Sequence, residues 1–300
     1  MPVDWAMLGI RAPATLVKAR ILAHHAVQWP TRAARANLEA LPDDSHSSLT
    51  WDSERGALFS QALPAGDASV RVGLRMAGLA LIMMRGDIVL DTYELAGRRD
   101  SMVGVWLDSG LRALGLKPAS SATLPYTIPF NAVARGSVYS FSGESAAFDE
   151  LAQWLTAAAD LLEGVRQACS SASPGAVLCW PHHFDIATVV TADAAAGEAA
   201  RSIGIGVSQG DHYYAQPYVY VSLQPAPEVS RLPELPPPGL WHTHGFVGAV
   251  ATGDGILALA DRRTETFAFV RSACESSGAR WDTGMQDTGN MNDHNPLSEA

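Results

Sequence analysis

Histidines are the residues of this sequence best suited to chemistry, because an imidazole near neutral pH can act as a general base or bind a metal ion. The chain has nine of them. Seven lie in three short pairs and at one loop position: His24-His25, His182-His183, His242-x-His244 and His46. This grouping directs the search for a site to four places in the chain.

Two of these pairs predict a metal site if the strands that carry them are neighbours. Side chains alternate along a strand, so His183 and Asp185 share one face. By the same alternation His242 and His244 share a face. Four such groups would suit zinc, iron or manganese. The alternative is a set of half-buried, hydrogen-bonded residues without a ligand, since patterns this short recur by chance.

The first helix predicts a different kind of site. His24 and Gln28 are four residues apart, on the side of the helix that also carries apolar residues. Two polar residues in an inward stripe either line a cavity or satisfy buried backbone groups. His25 lies about 100° further round the helix and is expected to be exposed.

The glycine-rich segment at residues 204–210 does not predict a nucleotide site. Gly204, Gly206 and Gly210 have neither the P-loop spacing nor the dinucleotide-binding spacing. Glycines in a strand more often mark a bulge or a close backbone approach. No GxSxG motif and no Cys–His pair supports nucleophilic hydrolysis. We therefore expect no nucleotide cofactor.

Hydrophobic periodicity predicts an α+β protein with an antiparallel sheet and flanking helices. Helical spacing appears in residues 13–41, 100–116, 145–168 and 264–277. Pro30 is expected to kink or interrupt the first of these helices. Short strand segments separated by turn residues fill residues 49–95 and 177–249, as in antiparallel meanders.

The order helix, strands, helix occurs twice along the chain. It predicts two similar lobes, residues 9–117 and 137–278, within a single α+β domain at residues 9–278. The pattern is compatible with one continuous sheet, although no repeat of individual residues accompanies it. Residues 279–300 are polar and rich in Asn, Asp and Gly, which is typical of a disordered tail.

Composition and charge narrow the classes of function. Hydrophobic residues make up 47% and charged residues 17%, which is a globular composition, and the net charge of −10 disfavours nucleic acid and anionic lipid. The longest apolar run, residues 76–84, is too short to cross a bilayer as a helix, and no secretory signal is visible. The three cysteines lack disulfide or metal spacing. We expect a cytoplasmic protein with no nucleic-acid partner and no membrane partner. A small molecule is a candidate partner.

Several short pieces that span most of the chain form a pattern through their order and spacing. They are His24-x-x-x-Gln28, residues 44–49 with Arg55-Gly56, Leu124-Pro125-Tyr126, Phe184-Asp185-Ile186-Ala187, Gly204-x-Gly206-x-x-x-Gly210, and Pro217-Tyr218-x-Tyr220 with Pro225. The pattern resembles a family of uncharacterised bacterial proteins, which implies no activity. The His182-His183 and His242-x-His244 pairs fall outside it. The resemblance therefore favours a pocket formed by His24, Gln28, His46 and Asp185.

Three interpretations stay open at this point. The first is a small-molecule-binding protein or enzyme with a polar His/Asp/Gln pocket. The second is a mononuclear metal-binding protein or metalloenzyme that uses His183, Asp185, His242 and His244. The third is a non-catalytic interaction protein whose histidines are incidental.

Overall fold

The computed structural model describes residues 3–141, 143–169, 173–192 and 201–276. Six α-helices lie within these ranges: α1 Val17–Ala26, α2 Gln28–Asn37, α3 Asp100–Ala113, α4 Ser145–Ala168, α5 Gly253–Leu257 and α6 Arg262–Glu275. The strands of the first half are β1 Leu49–Asp52, β2 Ala57–Ser60, β3 Leu63–Ala65, β4 Ala68–Arg75, β5 Ala80–Arg85 and β6 Ile88–Glu94. Those of the second half are β7 Ser173–Pro174, β8 Leu178–Trp180, β9 Asp185–Ala192, β10 Arg201–Ser208, β11 Tyr218–Gln224, β12 Leu240–His242 and β13 Gly248–Thr252.

The strands form one antiparallel sheet that runs through both halves of the chain. Its order is β12-β13-β11-β10-β9-β8-β1-β2-β4-β5-β6, with β3 beside β4 and β7 beside β9. The halves meet where β1 pairs with β8 through Leu49 and Cys179. The predicted α+β class, with an antiparallel sheet and flanking helices, is confirmed. The predicted domain and lobe limits stay predictions, and residues 279–300 lie outside the described residues.

The first predicted helix is two helices that meet at Val27. α1 ends at Ala26, and α2 begins at Gln28, so that Pro30 falls in the first turn of α2. A proline is tolerated in a first turn because the missing N–H would have no partner inside the helix there. α2 packs against β2 and β4, whereas α1 lies beside α4.

Most of the core lies between the helices and one face of the sheet, and a small cluster of Ala57, Phe59, Ile82 and Met84 is buried on the other face. Phe148, Leu155 and Leu162 of α4 belong to the same buried apolar cluster as Ile186 and Ile205 of the central strands. A second cluster joins α2 and α3 to the first half of the sheet and includes Ala33, Leu107, Leu111, Val72 and Met83. This packing holds α1, α2 and α3 side by side. Within the described residues no helix is long and apolar enough to cross a membrane.

On two strands a glycine lies directly opposite an aromatic residue of the neighbouring strand. Phe59 pairs with Gly73 in the first half, and Tyr220 pairs with Gly206 in the second. A methyl group on Gly73 would lie 2.4 Å from the Phe59 ring, and one on Gly206 would lie 2.5 Å from the Tyr220 ring. Each glycine is therefore needed for the close approach of a ring to the sheet.

Candidate functional site

His24 and Gln28 are brought together as predicted, but they hold a turn. His24 Nε2–H donates to the Pro181 carbonyl oxygen at 3.0 Å, and Gln28 Nε2 donates to the same oxygen at 2.8 Å. Gln28 Oε1 accepts from the Tyr126 hydroxyl at 2.9 Å. Burial lowers the pKa of His24 to about 4, so the ring is neutral at pH 7. These two side chains therefore anchor the β8–β9 turn to the helices.

Asp185 lies at the start of β9, enclosed between β8 and β10. Its Oδ2 accepts a hydrogen bond of 2.5 Å from the Tyr220 hydroxyl, whereas its Oδ1 is buried and has no hydrogen-bond partner among the described residues. Burial raises the pKa of this carboxyl, and the hydrogen bond from Tyr220 opposes that shift. Asp185 does not line the cavity described below, whereas Gln28 does.

His46 has a local structural role. Its Nδ1 accepts from the backbone N–H of Leu41 at 3.1 Å and thereby closes the loop between α2 and β1. Burial lowers its pKa. His46 also does not line the cavity, so Gln28 is the one predicted pocket residue that does.

The predicted metal site is not assembled, because its strands are not neighbours. Three strands separate β9 from β12, so the two strands lie about 19 Å apart at the usual strand spacing. The register also sets His242 against Val189, four residues along β9 from Asp185. His183 is exposed in the turn before β9, and Phe184 in the same turn has a left-handed φ of 57°. The alternation expected for His183 and Asp185 therefore does not hold. Across the described ranges no group of three or more His, Cys, Asp or Glu is placed to hold a metal ion.

Both ring nitrogens of His242 are already engaged. Its Nε2–H donates to the carbonyl oxygen of His244 at 2.5 Å, so its Nδ1 accepts from the Tyr214 hydroxyl at 3.0 Å. The ring also stacks on Phe246, with centroids 4.2 Å apart. His244 is exposed. His242 is therefore part of a packed aromatic surface. Neither of its ring nitrogens is free to bind a metal ion together with His244.

The main cavity lies in the first half, between the α1–α2 pair and α3, and is closed on one side by the loop at residues 119–128. Its volume is about 600 Å³. It is lined by His25, Gln28, Trp29, Arg32, Asp100, Ser101, Gly104, Val105, Asp108, Ser109, Arg112, Ser120, Leu124 and Ile128. Gly104 allows the close approach of α3 to Trp29, since a methyl group there would lie 3.0 Å from the indole ring.

Asp100, the first residue of α3, organises one wall of the cavity. Its Oδ2 accepts from His25 Nε2–H at 2.6 Å, and its Oδ1 accepts from the Tyr139 hydroxyl at 3.0 Å and from Trp29 Nε1–H at 3.3 Å. A carboxylate is also favoured at a helix N-terminus. His25 is buried, so the expectation that it is exposed is wrong. The reason is that Asp100, at the start of α3, and the Tyr139 ring lie against this side of α1.

Further along α3 and on α2, the cavity lining carries both signs of charge. Both Asp108 oxygens accept from Ser120, one from its backbone N–H at 3.1 Å and the other from its hydroxyl. Arg32 donates to the carbonyl oxygen of Ala122 at 2.6 Å. Arg112 lies one helical turn beyond Asp108 on α3, and its side chain is exposed. In the part of the chain that the structure describes, the Arg112 guanidinium makes no hydrogen bond and no ion pair.

Sequence reasoning missed His25, Asp100, Asp108 and Arg112. Asp100 stands 75 residues from His25, so no short motif joins them. The available signal was the carboxylate at the predicted start of the helix at residue 100, followed by Asp108 and Arg112 at helical spacing. That signal resembles the polar face of any surface helix, which is why it did not stand out.

No known family model matches the chain, and comparisons with curated proteins and with solved structures find no significant match. The resemblance to a family of uncharacterised bacterial proteins therefore stays a prediction.

Proposed function

We propose that this protein binds a small organic anion in the cavity between the α1–α2 pair and α3. The observation that carries this proposal is Arg112, an exposed guanidinium on the cavity wall that has no acidic partner among the described residues. A guanidinium presents a planar fork of donors that suits a carboxylate or phosphate. Arg32 of α2 adds a second positive charge to the lining, and its side chain has one hydrogen bond among the described residues, to the neutral carbonyl oxygen of Ala122.

The hydrogen bonds of the two carboxylates in the cavity support the proposal that the ligand is an anion. Asp100 accepts three hydrogen bonds and Asp108 accepts two, all from groups of the protein itself. Both are therefore largely satisfied before a ligand arrives. Arg32 and Arg112 make fewer hydrogen bonds within the protein, so the donors that stay available in the cavity favour a negatively charged ligand.

The rest of the lining suits the body of an organic molecule. Trp29, Val105, Leu124 and Ile128 supply apolar surface, and three serines supply hydroxyl groups. The volume of about 600 Å³ falls within the usual range of small-molecule sites. Binding is favoured over catalysis, because the Nε2 of His25 is held by Asp100 and its Nδ1 is buried without a partner.

Thermal unfolding with paired probes tests the proposal. Benzoate, hexanoate and phenyl phosphate are compared with benzamide, hexanamide and phenol, and a ligand that binds the folded state raises Tm. We expect the anion of at least one pair to raise Tm while its neutral partner does not. Arg112→Gln is expected to abolish this shift.

The control is Arg85→Gln, which removes an exposed arginine of β5 that does not line the cavity. It should retain the shift in full. An anion effect that survives Arg112→Gln would contradict the proposal, and so would the absence of any shift across the panel. The second result would favour an interaction protein instead.

A further inference from the structure

An apolar groove adjoins the cavity on the outer side of α3. It has a volume of about 370 Å³ and is lined by Tyr93, Ser101, Met102, Val105 and Trp106. Apart from the hydroxyl groups of Ser101 and Tyr93 and the indole N–H, these side chains are apolar. Val105 is 69% exposed and Met102 is 42% exposed, which is high for large apolar side chains on one helix.

The groove and the cavity are continuous, since Ser101 and Val105 line both. These residues are one helical turn apart and form the rim between the two hollows. Arg112 is seven residues further along α3 than Val105, a distance of about 10 Å along the helix axis. A molecule that contacts Arg112 at one end can therefore cross this rim and enter the groove.

The groove is built before any ligand binds. The Tyr93 and Trp106 rings stack with centroids 5.1 Å apart, and Trp106 Nε1 donates to Asp91 Oδ2 at 2.8 Å. The Arg98 guanidinium lies over the Tyr93 ring, 5.4 Å from its centroid. This floor is therefore a fixed apolar surface that joins β6 to α3, and it costs little ordering when a ligand binds.

From this arrangement we infer that the ligand is an amphiphile, an anionic group at Arg112 joined to an unbranched apolar chain that lies over Val105 in the groove. The inference rests on the proposed anion site and adds the class of ligand. A compact anion would fill the cavity and leave Met102, Val105 and the aromatic floor in water. Burying them under an apolar chain removes that exposure.

Calorimetric titration of the full chain with acetate, butanoate, hexanoate, octanoate and decanoate, each kept monomeric, tests the inference. A fully buried methylene improves Kd about fourfold. Because the groove is open on one side, we expect about a fourfold gain for each added pair of methylenes. Octanamide, which has the chain without the charge, should bind at least tenfold more weakly than octanoate.

The variant Met102→Gln/Val105→Thr keeps side-chain volume and makes the groove polar. It should abolish the dependence on chain length. Met102→Gln alone, at a residue that lines the groove and not the cavity, should weaken that dependence and leave butanoate binding unchanged. Its matched control is Met7→Gln/Val89→Thr, at sites 45% and 53% exposed that line neither hollow. The control should bind every acid like the unmodified protein.

The outcomes separate the two proposals. If octanamide binds as well as octanoate, the anion site itself is wrong. If no alkanoate binds, the amphiphile inference is overturned, and the thermal unfolding panel decides the anion site separately. If all alkanoates bind equally, the anion site stands and the amphiphile inference is overturned. A chain-length dependence that the groove variant retains also overturns the inference, because the chain would then lie elsewhere.

Discussion

Asp100 and Asp185 are two enclosed carboxylates in opposite halves of the molecule, and their surroundings differ in kind. Asp100 accepts hydrogen bonds from His25, Trp29 and Tyr139, and its side chain is 29% exposed at the edge of a cavity. Asp185 has the Tyr220 hydroxyl as its one donor among the described residues, and it faces no cavity. Asp185, which lies near His183 in the sequence, is thus buried in the sheet. Asp100, which has no histidine near it in the sequence, helps to form the candidate site.

The largest expected change in the free energy of unfolding is at Asp100, and it distinguishes Asp100 from Asp185. Asp100→Ala removes the common acceptor of three donors and should lower the free energy of unfolding by about 4 kcal/mol. Asp185→Asn keeps an acceptor for Tyr220 and should cost about 1 kcal/mol. Urea unfolding measures both values. Equal losses would show that the two carboxylates play equivalent structural roles.

The pH dependence of stability separates the buried and half-buried histidines around the β8–β9 turn from Asp185. The pKa of His24 is 6.5 in its ordinary state and about 4 in the folded protein, so the unfolded state binds the proton more readily between these values. Stability should therefore fall as pH falls through this window, by about 3 kcal/mol for His24 alone. His182, whose pKa burial lowers to about 4, responds in the same direction.

Asp185 acts with the opposite sign. Because its folded pKa is raised, its contribution to stability is complete below the unfolded pKa and is lost as pH rises through the folded pKa. Unfolding free energies between pH 7 and 4 should therefore show a steeper acid loss in Asp185→Asn and a shallower one in His24→Gln. The exposed His212→Gln should follow the unmodified protein. A pH profile that His24→Gln leaves unchanged would contradict this assignment.

The two glycine–aromatic pairs give the next smaller effect. Gly206→Ala displaces Tyr220 and so leaves Asp185 without its donor, whereas Gly73→Ala displaces Phe59 and breaks no hydrogen bond. We expect losses of about 3 kcal/mol and about 1.5 kcal/mol in the free energy of unfolding. In a Tyr220→Phe background the two glycine substitutions should cost the same. If the two costs still differ in the Tyr220→Phe background, the difference arises from packing and not from the hydrogen bond to Asp185.

The smallest expected effect is at Arg112. Arg112→Gln should change the free energy of unfolding by less than about 0.5 kcal/mol, because this exposed side chain makes no contact that stabilises the described residues. Thermal unfolding without added ligand measures it. A loss as large as that of Asp100→Ala would show that Arg112 is a structural residue, and the ligand experiments would lose their basis.

The sequence by itself determined the class of fold, because apolar periodicity and turn residues are local properties. The helix break near Pro30 and the meanders of strands follow from such local rules. The association of His24 with Gln28 was also predictable, since helical spacing alone places them together. Their function as an anchor was one of the two alternatives that the spacing left open.

Only the tertiary structure decided which polar groups meet. Strand alternation failed for His183 because Phe184 adopts a left-handed conformation in a turn. The pairing of β9 with β12 failed because strand order depends on the whole sheet. His25 and Asp100 come together because α3 packs across α1 and α2, a contact between segments 75 residues apart. The spacing of apolar residues within a segment indicates whether that segment is a helix or a strand. A site between helices depends on long-range packing, which no single segment determines.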